Sequence, residues 1–216
     1  GRHVHLAGSL EKMGCKTTIV SSTGNYMTNK RGVSERNSCP GVHNFIQIPL
    51  RWNGLGNFGK VAKMISFRRK AIACNWVENG ETPDVVIGSS PSLHAALAAS
   101  EIAKLYDVPF VLEIRDLWPL SLIEVAGVSR RNPIVKWMYK MEKEIVSRAT
   151  RIISLLPNAL TYLEKYDVEP SIVDWIPNGV DGSLYSNTTP NKIKGKISVM
   201  YAGSHGLPNG LKTVID

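Results

Sequence analysis

Short apolar runs alternate with longer segments of helical periodicity along the chain, and this alternation constrains the fold more than any other feature. Seven runs rich in β-branched residues are predicted strands: 17–21, 44–48, 84–88, 108–114, 151–154, 172–176 and 197–202. Six segments before, between or after them are predicted helices: 2–13, 58–77, 92–106, 133–149, 157–166 and one from 207 onward. Strands separated by helices form βαβ units with parallel strands. The pattern therefore predicts the α/β class, with a Rossmann-like, doubly wound parallel sheet.

Composition excludes several other classes of protein. The chain has 216 residues, of which 43% are hydrophobic and 20% charged, as in ordinary globular domains. No segment reaches the roughly 18 to 20 consecutive apolar residues of a membrane-spanning helix. The cysteines Cys15, Cys39 and Cys74 are odd in number and lack the spacing of a metal site. They favour a reducing, cytoplasmic location.

The order of the elements also predicts a division into domains. The chain opens in a helix with no strand before it, and it stops soon after a strand that is followed by a helical segment. We expect residues 1–182 to form one Rossmann-like domain without its first strand. Residues 183–195 are a predicted linker, and residues 196–216 are expected to start a second, truncated domain of the same kind.

The positive charge is concentrated in the first third of the chain. Residues 1–80 carry twelve basic and three acidic residues, a net charge of +9, whereas residues 81–216 carry fourteen basic and fifteen acidic ones. A field this uneven favours an anionic partner on one side of the molecule: nucleic acid, phospholipid or a phosphorylated substrate. The alternative is a basic face that only keeps the protein soluble.

The loop after the fourth predicted strand, 108–114, carries the most distinctive residues. In parallel α/β sheets, ligands bind beyond the carboxyl ends of the strands. The strand ending at Ile114 delivers Arg115 and Asp116 to that edge, with Trp118 close behind. Asp can accept from sugar hydroxyls, Arg can hold a phosphate or carboxylate, and Trp can stack on a sugar ring. The alternative is an Arg–Asp pair that caps the next segment, with Trp118 in the core.

Two further loops have a strand–turn–helix pattern. Ser89 and Ser90 precede a predicted helix, where free backbone N–H groups favour an anion. An ordinary serine cap with Pro91 in the first turn is the alternative. Gly203 and Gly206, in the segment 202–206, permit close backbone approach to a phosphate.

Residues 51–77 mix basic and apolar side chains. Five apolar residues fall near one helical face, which we expect to pack on the sheet: Phe58, Val61, Ile65, Ile72 and Trp76. Lys60, Lys63, Arg69 and Lys70 lie largely elsewhere. Together with Arg68 they are expected to contact an anionic membrane.

Four motifs in order along the chain resemble one known family. They are GSSPSLHAALAA at 88–99, EIRDLWP at 113–119, IPNGVD at 176–181 and YAGSHGL at 201–207. Together they resemble family 4 glycosyltransferases of GT-B fold, and most of all the bacterial colanic-acid, O-antigen and capsule enzymes. The resemblance implies two facing Rossmann-like domains, an acceptor site in the first and a nucleotide-sugar site in the second. It also implies a retaining reaction without metal or cofactor.

The resemblance carries over to individual residues. Gly1 and Arg2 look like the end of the glycine-rich first loop, which approaches the donor phosphates. Asp116 matches a family aspartate and is expected to contact a sugar, and Arg115 stands where many relatives carry a histidine. The other residues expected to bind substrate are Ser89, Ser90, Trp118, Asn178, Gly203, Ser204, His205 and Gly206.

The expected function follows from the resemblance and the charge together. The protein would transfer a hexosyl or N-acetylhexosaminyl group to a polyprenyl-diphosphate-linked or other saccharide acceptor, as a peripheral protein on the cytoplasmic face of the plasma membrane. The sequence given is expected to be inactive without the rest of the second domain. Another GT-B enzyme, such as a nucleotide-sugar epimerase, is the alternative within enzymes. A basic nucleic-acid-binding module is disfavoured, since no zinc spacing or recognition-helix pattern occurs.

Overall fold

The computed structural model of the chain describes residues 2–23, 44–50, 56–77, 80–180, 182, 200–203 and 209–215. The strands in these residues are β1 (Thr18–Ser22), β2 (Asn44–Ile48), β3 (Val86–Ser89), β4 (Phe110–Ile114), β5 (Arg151–Ser154) and β6 (Val173–Trp175). The α-helices are α1 (Arg2–Lys12), α2 (Gly56–Ala73), α3 (Leu93–Tyr106), α4 (Leu120–Glu124), α5 (Pro133–Arg148), α6 (Ala159–Leu163) and α7 (Lys212–Ile215). Two 3-10 turns lie at Glu164–Tyr166 and Pro170–Ile172.

All strand pairs in the described residues are parallel. β1 pairs with β2, and β3, β4, β5 and β6 form a second sheet in that order. Its register places Gly88 beside Leu112, and Leu112 beside Ile152. Parallel neighbours need helical crossovers, and α3 and α5 supply them for β3 to β4 and β4 to β5. The predicted α/β, Rossmann-like class is confirmed.

Two apolar clusters hold the layers together. The larger one lies between the four-stranded sheet and the helices α3, α5 and α6, and it includes Leu112, Ile145, Ile152 and Leu163. The second consists of buried Ile48, Ala71, Ala98 and Ile102, and both Val20 of β1 and Val86 of β3 pack against it. Because this cluster draws on both sheets, α2 and α3 cover the two sheets as one layer.

Gly88 shows how closely α3 approaches β3. A Cβ atom at this position would lie 2.8 Å from the Cβ of Ala99 and 2.9 Å from the Phe110 ring. The helix therefore rests directly on the strand backbone. The first turn of α3 is capped by Ser92, whose hydroxyl accepts from the backbone N–H of Ala95 at 3.3 Å.

The prediction that the whole apolar stripe of α2 packs on the sheet is wrong for its first half. Ile72 and Trp76 pack against the second cluster, but Val61 is 42% and Ile65 41% exposed. The reason is that Ile48, the last residue of β2, is in a cluster with Ala71 near the end of the helix. The first half of α2 therefore extends beyond the end of this strand. The side chain of Phe58 lies outside the described residues.

Other differences concern short elements. The predicted helix 157–166 consists of α6 and a 3-10 turn, and α4 was not predicted. Residues 200–202 of the predicted last strand are not a strand, and residues 197–199 lie outside the described part. The proposed domain boundaries stay a prediction. Among the described helices, none is long and apolar enough to cross a bilayer.

Candidate active site

The start of α1 and the ends of β3, β4 and β6 meet at the carboxyl edge of the four-stranded sheet, and Arg2 directly connects all of them except β3. Its Nε donates to Oε1 of Glu113 on β4 at 2.8 Å. Its Nη2 donates to the carbonyl of Ile176 at 3.1 Å, and its Nη1 donates to the carbonyl of Pro177 at 2.9 Å. Nη1 also reaches Oδ1 of Asn178 at 3.5 Å. The start of α1 is thereby fixed to the ends of β4 and β6.

Glu113 is the centre of this arrangement and is only 2% exposed. Besides Arg2, it accepts from His3 Nε2 at 2.8 Å and from the Ser89 hydroxyl at 2.6 Å. Burial alone would raise the pKa of Glu113, but the hydrogen bonds from His3, Ser89 and Arg2 outweigh it and lower the pKa to about 2. The carboxylate is therefore ionised at neutral pH, and its role is to position the groups around it.

Ser90 joins the loops after β3 and β4 and is 6% exposed. Its Oγ accepts from the backbone N–H of Arg115 at 2.8 Å and from that of Asp116 at 3.3 Å. It donates to the carbonyl of Asp116 at 3.1 Å. Ser89 and Ser90 were both predicted to bind substrate, but their hydroxyls make hydrogen bonds within the protein that hold the loops at this edge. The serine cap predicted as the alternative is formed by Ser92.

Asp116 is held by its own loop. Oδ2 accepts from Trp118 Nε1 at 2.8 Å, and Oδ1 accepts from the Ser121 hydroxyl at 2.6 Å. The ion pairs among the described residues do not include one between Arg115 and Asp116. Since an ionised carboxylate has about four lone-pair sites, each oxygen keeps capacity for a further donor.

Two cavities border this edge. One, of about 20 Å³, is lined by Asp116, Trp118 and Glu142 together with apolar residues, and it has room for about one water molecule. The other, of about 240 Å³, is lined by polar Arg2, His3, Ser21 and Arg115 and by apolar Val4, Ile19, Val20 and Phe45. Arg115 is exposed, and nothing in the described part of the chain pairs with its guanidinium.

A second buried carboxylate lies on α5, beside the smaller cavity. Glu142 accepts from the hydroxyls of Tyr162, at 2.9 Å, and Tyr166. Lys165 lies 3.5 Å from it, with its ammonium 3.4 Å from the centre of the Tyr162 ring. Burial raises the pKa of Glu142, against the opposing effect of Tyr166 and Lys165. This cluster fixes α6 and the following 3-10 turn to α5.

The remaining predicted residues are placed as follows. Gly1, Ser204, His205 and Gly206 lie outside the described residues. Gly203 is described and exposed, close to the Tyr201 ring. Of the basic residues on α2, Arg68 pairs with Glu101 and Lys70 donates to the carbonyl of Pro49 at 2.5 Å, while the other three make no described pair. The substrate contacts of all these residues stay predictions.

Sequence reasoning missed His3, Glu113 and Ser121. One signal was available for Glu113, because it is the single charged residue in the buried run 110–114. A carboxylate in a buried strand needs partners and often marks a functional edge. His3 and Ser121 had no comparable signal, since their roles depend on contacts between segments. The described residues contain no cluster of His, Cys, Asp or Glu able to hold a metal ion, and a metal-free reaction stays a prediction.

A comparison of the sequence with known protein families shows which family the chain belongs to. Residues 1–184 match the family model described as Glycosyltransferase Family 4. The chain belongs to Glycosyltransferase Family 4. It is therefore a domain of a sugar-transferring enzyme, as the motifs at 88–99 and 113–119 indicated. No curated protein matches the chain.

Proposed function

We propose that this glycosyltransferase domain binds the acceptor in a retaining, metal-independent transfer from a nucleotide-sugar donor. One observation supports it above the rest: the ends of β3, β4 and β6 and the start of α1 are joined through Arg2 and Glu113 at a single edge. Ligands of parallel α/β sheets bind at this edge. The donor would bind to a second domain, with the segment 203–206 near its diphosphate.

Asp116 is the proposed sugar-binding residue. Its two internal hydrogen bonds, from Trp118 and Ser121, fix the direction of the carboxylate and leave further lone pairs for sugar hydroxyls. A group already oriented in the free protein loses little entropy when the substrate binds. Arg115, exposed at the same edge, is the proposed contact for a phosphate of the acceptor or donor.

In the proposed reaction, the acceptor hydroxyl attacks the sugar on the face from which the nucleoside diphosphate leaves. The bond from the anomeric carbon to the diphosphate oxygen breaks, and a bond to the acceptor oxygen forms. The departing diphosphate carries the hydroxyl proton or passes it to solvent. Oriented donors near the growing negative charge would lower the barrier.

The proposed acceptor is a saccharide linked to a polyprenyl diphosphate in the synthesis of a surface polysaccharide such as O-antigen or capsule. The net charge of +9 in residues 1–80 supports an anionic acceptor and an anionic membrane surface. We propose a hexosyl or N-acetylhexosaminyl donor and a peripheral location on the cytoplasmic membrane face.

The test is transfer from a panel of nucleotide sugars by the full-length protein, with release of the nucleoside diphosphate as readout. Asp116→Asn keeps the shape of the side chain and removes its charge, so we expect kcat/KM to fall by about 10- to 100-fold, the value of a hydrogen bond to a charged group. Asp107→Asn, an exposed carboxylate at the opposite edge of the sheet, is the matched control and should be unchanged.

Equal activity of wild type and Asp116→Asn would contradict the role of Asp116. Epimerisation of the nucleotide sugar without any acceptor product would contradict the transferase proposal itself, and it would favour the epimerase alternative.

A further inference from the structure

We propose that residues 60–69 of α2 and residues 131–140, which include the first two turns of α5, form one membrane-docking surface, which binds anionic lipid headgroups and inserts apolar side chains among them. This surface, called here the rim surface, consists of Lys60, Val61, Lys63, Met64, Ile65, Arg69, Arg131, Ile134, Lys136, Trp137 and Lys140. This proposal rests on the proposed function in one respect: membrane docking would serve a transferase whose acceptor is a lipid-linked saccharide in the bilayer. The part contributed by α5 extends the surface beyond the helix that the sequence singled out.

The apolar members are exposed although they lie on helices that pack well elsewhere. On α2, Val61, Met64 and Ile65 are spaced as neighbours on one face and are each more than a third exposed. On α5, Ile134 is 62% exposed and Trp137 is 45% exposed. In both helices the buried positions continue in the later turns, so the exposed apolar residues are concentrated at the helix starts.

Contacts with α3 place the two helix starts side by side. α3 packs against both α2 and α5. Arg68 pairs with Glu101. Because α2 and α3 each follow a strand of a parallel pair, we infer that they run in the same direction, and the same offset then puts Val61 near the level of His94. The ring of Trp137 lies 5.5 Å from the ring of His94. The starts of the three helices therefore lie at one height, with Val61 and Trp137 about 20 Å apart for helices spaced at about 10 Å. His94 lies between them and is buried.

Positive charge surrounds the apolar residues. Residues 56–70 contain five basic residues and no acid, and residues 130–140 contain four basic residues and no acid. Arg68 is paired with Glu101 and Arg130 with Glu124, so those acids are already neutralised. In the described contacts, the six basic side chains of the rim surface make no ion pair, and they are available to phosphate groups.

The combination selects a bilayer as the partner. Basic residues alone would suit any polyanion, including nucleic acid. Aliphatic side chains at the helix starts, with a tryptophan among lysines, are instead typical of the interface between headgroups and acyl chains. The rim surface also lies at the carboxyl edge of the sheet, where Asp116 and Arg115 are located, so docking would bring the candidate site to the lipid surface.

The test compares two triple variants of the full chain in flotation with vesicles of phosphatidylcholine containing about 30% phosphatidylglycerol. The rim variant is Ile134→Ser, Lys136→Gln, Lys140→Gln. The control variant is Leu105→Ser, Lys104→Gln, Lys12→Gln, which removes the same charge and an equally exposed apolar residue, 63% exposed, from the opposite edge. Circular dichroism checks that both variants fold.

We expect the rim variant to bind these vesicles at least tenfold more weakly than wild type, since each lost basic residue near the surface weakens binding about fivefold. The control variant should stay within about twofold. We also expect vesicles with brominated acyl chains to quench tryptophan fluorescence, and Trp137→Phe, which keeps a ring against His94, to lose a large part of that quenching.

Three results would overturn the proposal: no binding of wild type to anionic vesicles, equal loss in the two triple variants, or tighter binding to duplex DNA than to the vesicles at the same salt concentration. Flotation does not depend on catalysis. If the protein transfers sugar to a soluble saccharide but does not bind vesicles, the rim surface is refuted and the proposed transferase function is not. If it binds vesicles but transfers no sugar, the proposed function is refuted and the rim surface is not.

Discussion

Glu113→Gln should destabilise the protein by about 3 kcal/mol, because it leaves a partly buried arginine without its anion. The wild-type carboxylate accepts from Arg2, His3 and Ser89 while almost fully buried. The amide that replaces it is neutral and presents an NH2 group to at least one of these donors. Glutamine keeps the volume of the side chain, so the loss reports on charge and hydrogen bonding and not on a cavity.

The magnitude follows from the pKa. The pKa of Glu113 falls from 4.5 to about 2 in the folded protein. At 1.36 kcal/mol for each pKa unit, the ionised carboxylate contributes about 3 kcal/mol. A lowered folded pKa gives stability that is complete above pH 4.5 and is lost as the pH falls towards 2. The difference between wild type and variant should therefore be constant from pH 5 to 8 and shrink below pH 4.5.

The assay is urea unfolding followed by circular dichroism, at pH 7 and at steps down to pH 3. A loss of about 3 kcal/mol corresponds to roughly 6 to 12 °C in Tm for a chain of this size. The double variant with Arg2→Gln should lose much less than the sum of the single losses, because the two groups are coupled. A loss below 1 kcal/mol at pH 7, or fully additive losses, would refute the role given to Glu113.

Three further predictions concern packing and buried polar groups. Burial and the nearby Arg68 lower the pKa of His94 in the folded protein. The unfolded chain therefore binds a proton at His94 more readily, and the free energy of unfolding should fall as the pH drops below 6.5. His94→Phe should make that fall smaller, as measured by the urea midpoints at pH 7.5 and pH 5. Tyr166→Phe removes a hydroxyl bonded to the buried glutamate of α5 and should cost about 1.5 to 3 kcal/mol in urea unfolding. Gly88→Ala should cost about 1 to 3 kcal/mol because its Cβ would meet α3, whereas Gly179→Ala, with open space around it, should change the midpoint little.

The sequence predicted the central sheet well because its strands are short apolar runs separated by segments with a helical period. The runs that became β3, β4 and β5 are short, apolar and rich in valine and isoleucine, which leaves few alternatives to a parallel core strand. The ends of these strands then located Asp116 and Ser90 at one edge. A regular period and simple burial were enough for this part of the structure.

The rest depended on contacts that periodicity does not contain. The five residues of α4 are too few to show a helical period. The stripe on α2 had the right spacing for packing, but spacing does not say where along the helix the sheet stops, and Val61 is therefore exposed. The partners of Glu113 come from earlier in the chain: Ser89 lies 24 residues before it and Arg2 lies 111 residues before it.

Arg2 gives the candidate site an unusual dependence on the order of synthesis. Its bonds reach Glu113 and the carbonyls after β6, over sequence separations of 111 to 175 residues. Contacts this distant form late in folding, once the intervening chain has collapsed. A nascent polypeptide on the ribosome cannot complete this edge before the segment 176–178 has emerged, so the hydrogen bonds of Arg2 to that segment are absent from a half-made domain.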